Sequence, residues 1–240
     1  MALKPFLSFY GGKWRVAPRY PDPVYDRIIE PFAGGAGYSV RHHEHKVRLY
    51  EIDPIIFGVW DYLIHVKASE VLALPTVITH VDDLKVSAEA KSLIGFWLNK
   101  AVATPRKQPS AWMRSGYQAY QYWGEEIKER IARQVDHIRH WRVFNKSYDE
   151  APDDKATWFI DPPYQGRGGK GYRFKITDYV SLGRWCRERS GQVMVCENTG
   201  ADWLPFEPFM TIKATAGHKR DGVSREVIWT NEAQVQRAAA

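Results

Sequence analysis

Short apolar runs alternate with longer amphipathic stretches along this chain, the pattern of strands connected by helices in a mostly parallel sheet. Residues 27–31 predict a first strand and 46–52 a second. Residues 141–144, 157–160, 192–196 and 226–231 predict four more. Between them, apolar residues recur at helical spacing. A helix is expected over 38–44, and another over 55–67 with Ile56, Val59, Trp60 and Leu63 on its inner side. Residues 87–99 carry Leu93, Phe96 and Trp97 on one side, and 124–141 carry Ile127, Ile131, Val135 and Ile138. A last helix is expected over 178–189, capped by Thr177 and ended by Gly191. Residues 1–84 and 140–240 then form an α/β domain, and 85–139 a helical insert. No internal repeat is visible.

The strand ends hold the candidate chemistry. The run Thr157-Trp158-Phe159-Ile160 closes with Asp161-Pro162-Pro163-Tyr164. In open α/β sheets, ligands bind at the carboxyl ends of strands. The two prolines remove two donors and fix φ, so nearby carbonyls point one way. Asp161 and the Pro162 carbonyl could each accept one hydrogen of an amine on a planar ring, with Tyr164 against the ring face. That arrangement localises the amine's lone pair and aims it at a methyl donor. A purely structural turn is the alternative.

The first strand runs into Pro31-Phe32-Ala33-Gly34-Gly35-Ala36-Gly37. A glycine-rich turn lets backbone approach a ligand closely. Val40 stands where a dinucleotide fingerprint would need its third glycine, and no P-loop Lys-Ser/Thr follows. The turn suits a nucleoside-type ligand without pyrophosphate, or is only a tight βα connection. Asp53, ending the second strand, could accept both hydroxyls of a ribose or cap the next helix. Phe9-Tyr10-Gly11-Gly12-Lys13-Trp14 offers close backbone approach beside a cation, or is a surface turn.

Composition adds a bias. The 240 residues carry a formal charge of +6 and 44% hydrophobic residues, enough for one good-sized core and mildly favouring an anionic partner. Cations gather in loops: Arg106 and Lys107 between prolines, Arg114 among aromatics, then Arg167, Lys170 and Arg173 among glycines after Tyr164. These loops could contact phosphates, or be solvated linkers. Gly217-His218-Lys219-Arg220-Asp221-Gly222 with Arg225 is a second such loop. Most of the aromatics read as core and rim, with stacking on bases the alternative. His42, His43 and His45 lack metal-site spacing and read as a solvated helix end, and Asp82-Asp83 and Glu125-Glu126 as surface charge. No metal is expected. Cys186 and Cys196 suggest neither a disulfide nor a metal site. No apolar stretch approaches the ~20 residues of a membrane span, and no signal-peptide core follows Met1, so a soluble cytoplasmic protein is expected.

Together these motifs resemble the alpha-group adenine-specific DNA methyltransferases. Phe9-Tyr10-Gly11-Gly12-Lys13 looks like that family's N-terminal cofactor motif. Glu30 to Gly37 is similar to its cofactor loop, with Asp53 as the ribose acid. Leu98-Asn99-Lys100 resembles the start of its target-recognition region, Lys146-Ser147-Tyr148 the piece before the catalytic strand, and Asp161 to Tyr164 the catalytic motif. The order of motifs is that of the alpha group. The resemblance implies a Rossmann-like S-adenosylmethionine-dependent methyltransferase sheet with a small helical target-recognition insert. It implies S-adenosyl-L-methionine held by Phe9, Tyr10, Lys13, Phe32, Ala33, Gly34, Gly35 and Asp53, and catalysis by Asp161, Pro162, Pro163 and Tyr164. Double-stranded DNA would meet Lys100, Arg106, Lys107, Arg114, Arg167, Lys170 and Arg173, on a monomer or weak dimer. After Lys100 the family often continues Gly-x-x-Arg-x-Asn, whereas this chain has Ala101-Val102-Ala103-Thr104-Pro105-Arg106, so no recognition sequence carries over. Restriction–modification and phage self-protection are both open roles. An RNA base methyltransferase of the same chemistry and a silent DNA-binding module are the alternatives.

Overall fold

A computed structural model of the protein describes residues 2–166, 169, 171–213 and 222–231. The expected Arg167 and Lys170 contacts, and the loop 217–221, lie outside the described residues. Seven strands form one mixed sheet: β1 (Arg27–Glu30), β2 (Lys46–Tyr50), β3 (Arg142–Phe144), β4 (Ala156–Ile160), β5 (Gly191–Asn198), β6 (Glu207–Lys213) and β7 (Val223–Thr230). Their order is β3-β2-β1-β4-β5-β7-β6. The first five are mutually parallel, and β7 runs antiparallel to both β5 and β6. From β1 the chain builds outward through β2 to β3, then crosses to β4 on the other side. The topological switch point therefore lies between β1 and β4, where a crevice opens beyond the strand ends.

Parallel strands covered on both faces become continuously apolar, because alternate side chains enter two different cores. In β4, Trp158 and Ile160 enter one core with Leu182 and Cys186 of α7 (Tyr179–Arg187), while Phe159 enters the other. That second core is larger. It takes Ile56, Val59, Trp60 and Leu63 of α2 (Pro54–His65), and Tyr38 and Val40 of α1 (Gly37–Arg41). Each fully buried Leu or Ile there contributes roughly 1.5–3 kcal/mol. A short α3 (Ala68–Leu72) follows α2. Leu93, Ile94 and Phe96 of α4 (Ala88–Trp97) and Ile127 and Ile131 of α6 (Glu125–Ala132) join the same core. The stretch 85–139, which also holds α5 (Ala111–Arg114), thus packs onto the sheet's own core.

Several elements differ from expectation for local reasons. The long helix expected over 124–141 breaks after α6 and resumes as a 3-10 turn at Val135–Ile138. At the break the Gln134 amide pairs with both backbone groups of Lys4, at 2.6 and 3.2 Å. Asp178, not Thr177, caps α7, its Oδ1 accepting from the Ser181 amide at 2.9 Å. Gly191 does not end that helix but opens β5, at φ +104°, where a Cβ would lie 2.2 Å from the Ala156 carbonyl oxygen of β4. His43 is buried against His137 rather than solvated. β6 went unforeseen because it is an outer strand with Pro208 near its start, which weakens the alternation signal. Among the described residues, no helix is long and apolar enough to cross a membrane.

Glu30 closes β1 in full burial and accepts the Ser39 amide of α1 at 2.7 Å. Burial lifts its carboxyl from the ordinary 4.5 to about 8, against the pull of the Ser39 hydrogen bonds. A folded-state value above the unfolded one stabilises fully below pH 4.5, and that stability is lost as pH rises through about 8. Glu30→Gln keeps an acceptor but cannot ionise. Urea unfolding should show it losing less stability than wild type between about pH 6 and about pH 9. Identical pH slopes for the two proteins would refute this.

Candidate active site

A cavity of about 250 Å³ opens at the tips of β1, β2 and β4, at the switch point. Its floor is the turn after β1. The Ala33 amide donates to the Tyr50 carbonyl at 3.0 Å, and the Gly34 amide donates to Glu51 Oε2 at 2.9 Å. Glu51 Oε1 accepts the Asp53 amide at 2.9 Å, and Trp60 Nε1 donates to the Gly34 carbonyl at 2.8 Å. One buried carboxylate thus ties the end of β2 to the glycine turn of β1. Burial pushes Glu51 up to about 7, opposed by these two amides.

The glycines of the turn serve the protein's own N-terminal strap. A Cβ on Gly34, which sits at φ +43°, would meet the Phe9 ring at 2.8 Å. A Cβ on Gly37 would lie 2.4 Å from the Trp14 amide nitrogen. The strap 3–14 is therefore no surface turn. Leu3, Phe6 and Leu7 are buried, Trp14 Nε1 donates to the Leu3 carbonyl at 2.7 Å, and the Tyr10 amide reaches the Val102 carbonyl at 3.2 Å.

The strap delivers Lys13 to Asp161. The Lys13 ammonium donates to Asp161 Oδ1 at 2.8 Å, to Oδ2 at 2.9 Å and to the Gly11 carbonyl at 3.2 Å. Burial pushes the Asp161 carboxyl above its ordinary range, and the Lys13 charge opposes that push. Burial works hardest against the Lys13 charge, but Asp161, followed by Glu226 and weaker contributions from Cys196 and Tyr172, together outweigh it and hold the ammonium above the ordinary lysine range.

The turn 161–165 is anchored on every side. Tyr179 donates to the Pro163 carbonyl at 2.6 Å, and Glu197 Oε2 accepts the Gln165 amide at 2.9 Å. The Tyr164 hydroxyl donates to Glu226 Oε2 at 2.6 Å, and Ser224 donates to Glu226 Oε1 at 2.6 Å. Lys13 Nζ lies 5.0 Å from the Tyr164 ring centroid.

All eight residues expected to hold a cofactor line this cavity, together with Asp161 and Pro163. Pro162 is buried, and Tyr164 stands beside the cavity rather than in its wall. Asp53 fills the helix-cap role, its Oδ1 accepting the Ile55 amide at 2.9 Å, and its side chain still lines the cavity. Arg173, expected at phosphates, lies in the cavity wall 3.5 Å from Asp53. Lys100, Arg106, Lys107 and Arg114 stay outside the wall, on the insert. Lys107 pairs with Asp82 at 2.7 Å, Lys100 bonds Gln118 at 2.8 Å, and Arg114 bonds the Pro109 carbonyl. Near them Trp112, Tyr117 and Tyr120 are exposed, whereas Tyr122 and Trp123 are buried.

Glu51, Glu226 and Tyr179 were not singled out from sequence. For Glu226 a signal existed, since an acid inside the apolar strand run 226–229 must find a partner when buried. The cavity's acceptors, Asp53 and Glu51, suit ligand hydroxyls, and Phe32, Ile52 and Ile56 offer apolar walls for a flat ring. Among the described residues no group of His, Cys, Asp or Glu is placed to hold a metal ion. Neither a scan against protein-family models nor a search of curated proteins finds a match to this chain.

The strap's fit to Gly37 is testable. Gly37→Ala should destabilise the protein by about 1–3 kcal/mol, the cost of overpacking against backbone. Gly58→Ala, within α2 and 3.5 Å from only the Glu89 side chain, should stabilise it by about 0.5–1 kcal/mol. Denaturant midpoints moving in the same direction for both variants would contradict the close strap contact.

Proposed function

We propose that this protein is an S-adenosylmethionine-dependent DNA methyltransferase acting on the exocyclic N6 amine of adenine. The observation that carries the reading is that Asp161, at the β4 tip, and the glycine turn, at the β1 tip, wall the same cavity. When bound, S-adenosylmethionine supplies a methyl group on a sulfonium. Asp53 and Glu51 would accept its ribose hydroxyls, with Phe32 and Ile56 beside its adenine.

An aromatic amine is a weak nucleophile because its lone pair is delocalised into the ring. Asp161 draws one amine hydrogen out of the ring's conjugation and orients the lone pair. Nitrogen gains the methyl group as the carbon–sulfur bond breaks. The Asp161 carboxylate is the base placed to take the proton that the amine gives up. Catalysis of this kind is alignment plus a fixed charge where positive charge develops. The anchored turn serves it, because Lys13, Pro163, Tyr164 and Gln165 are each held by a hydrogen bond before substrate arrives.

The target adenine must leave the duplex stack, at a cost of roughly a few kcal/mol. Stacking on Tyr164 offsets about 1–3 kcal/mol of this. The exposed Trp112, Tyr117 and Tyr120, with Lys100 and Arg114 nearby, and the net charge of +6 support a nucleic-acid partner.

Tritium transfer from labelled S-adenosylmethionine into duplex DNA and into structured RNA tests the reading. Wild type should label the duplex and not the RNA. Asp161→Ala should transfer on the order of 10²–10³-fold more slowly, the loss seen when a preorganised polar group is removed. Its affinity for S-adenosylmethionine by calorimetry should stay within a few-fold of wild type. A normal transfer rate in this variant would defeat the proposed mechanism.

A further inference from the structure

Lys13 was expected to hold the cofactor, and its ammonium has three acceptors within the protein. Two are the Asp161 carboxylate oxygens at 2.8 and 2.9 Å, and the third is the Gly11 carbonyl at 3.2 Å. The ammonium itself is buried, while 19% of the Asp161 side chain remains open at the cavity wall. An ionised carboxylate has about four acceptor positions, and the ammonium takes one on each oxygen. The outer positions remain for a donor arriving from the cavity.

Burial, and after it the Glu226 charge, favour a neutral Asp161, while Lys13 and, more weakly, the Tyr164 hydroxyl favour the ionised form. Glu226 on β7 approaches from one side, itself only 5% exposed. Glu30 on β1 and Glu197 on β5 add like charge when ionised. Cys196 on β5, Tyr172 after the loop, Tyr20 and Tyr164 bring only neutral thiol and phenol groups, and burial pushes all four up. Lys13 is the cation set against this ring. A protonated Asp161 would donate from one oxygen and could no longer accept the amine there.

We propose that Lys13 is a positioning residue for Asp161, holding its carboxylate ionised and in one orientation so that its outer lone pairs meet the substrate amine. The consequence for catalysis rests on the methyl-transfer reading. The effect on Asp161 does not, and it is measurable without cofactor or DNA.

The experiment is a carbon-13 NMR titration of protein labelled at the aspartate carboxyls, with the Asp161 signal identified by its loss in Asp161→Asn. In Lys13→Met the Asp161 midpoint should lie about 1–3 pH units above wild type, the effect of removing an adjacent opposite charge. An unchanged midpoint overturns the proposal. If circular dichroism shows Lys13→Met unfolded, Lys13→Gln is titrated against the same criterion. In a second arm, the acid limb of the pH profile of kcat/KM should move up by the same amount as the NMR midpoint. A limb that stays in place while the midpoint moves overturns the catalytic role. Absence of transfer in wild type would defeat the methyl-transfer reading and leave the titration to decide the role of Lys13.

Discussion

The ion pair between Lys13 and Asp161 joins residues 148 apart in the chain at the wall of the cavity. Removing two charges from water is costly, and a buried pair is tolerated only where geometry is good and the remaining hydrogen-bonding groups are satisfied. Here the ammonium has three acceptors and the carboxylate keeps an open side. The strap that carries Lys13 is held independently of the pair, by Phe9 against Gly34, by Trp14 against Gly37 and by Leu3, Phe6 and Leu7 in the core. The charge is thus delivered by apolar packing, which offsets what the pair alone would cost.

Buried acids recur around this junction with a common task. Glu30 holds the first turn of α1, Glu51 holds the glycine turn and the start of α2, Glu197 holds the chain after Tyr164, and Glu226 holds Tyr164 itself. Each accepts N–H or O–H groups that would otherwise be unpaired at strand ends. A loop carrying chemistry has little apolar area of its own to fix it, so directional bonds to buried carboxylates do that work. The rigidity this supplies is what the proposed methyl transfer would need.

Much of the architecture was legible from hydrophobic periodicity. The runs at 157–160 and 192–196 are strands buried on both faces, which allows apolar side chains at successive positions, while 27–31 and 46–52 carry charged residues among theirs. The helix after Asp53 was readable from its stripe and its cap. Phe9, Lys13, Gly34 and Asp53, expected to hold a cofactor, were legible as motifs, and the cavity brings them together. The break after α6 was not legible, because Ile127, Ile131, Val135 and Ile138 are buried whether or not the helix is continuous. That Glu226 and Tyr179 would meet Tyr164 and Pro163 was not legible either, because an acid in an apolar strand signals that a partner is needed but not which residue packing brings to it.

By itself the sequence determined where most strands and helices lie and which chemical groups sit at strand ends, since both follow from interactions within a few residues. Only the tertiary structure decided that Lys13 faces Asp161, that Arg173 turns to Asp53, and that the glycines of the turn receive Phe9 and Trp14. Those outcomes depend on which surfaces pack across the sheet, and long-range packing is set by the shape and charge of the whole fold rather than by any local run of residues.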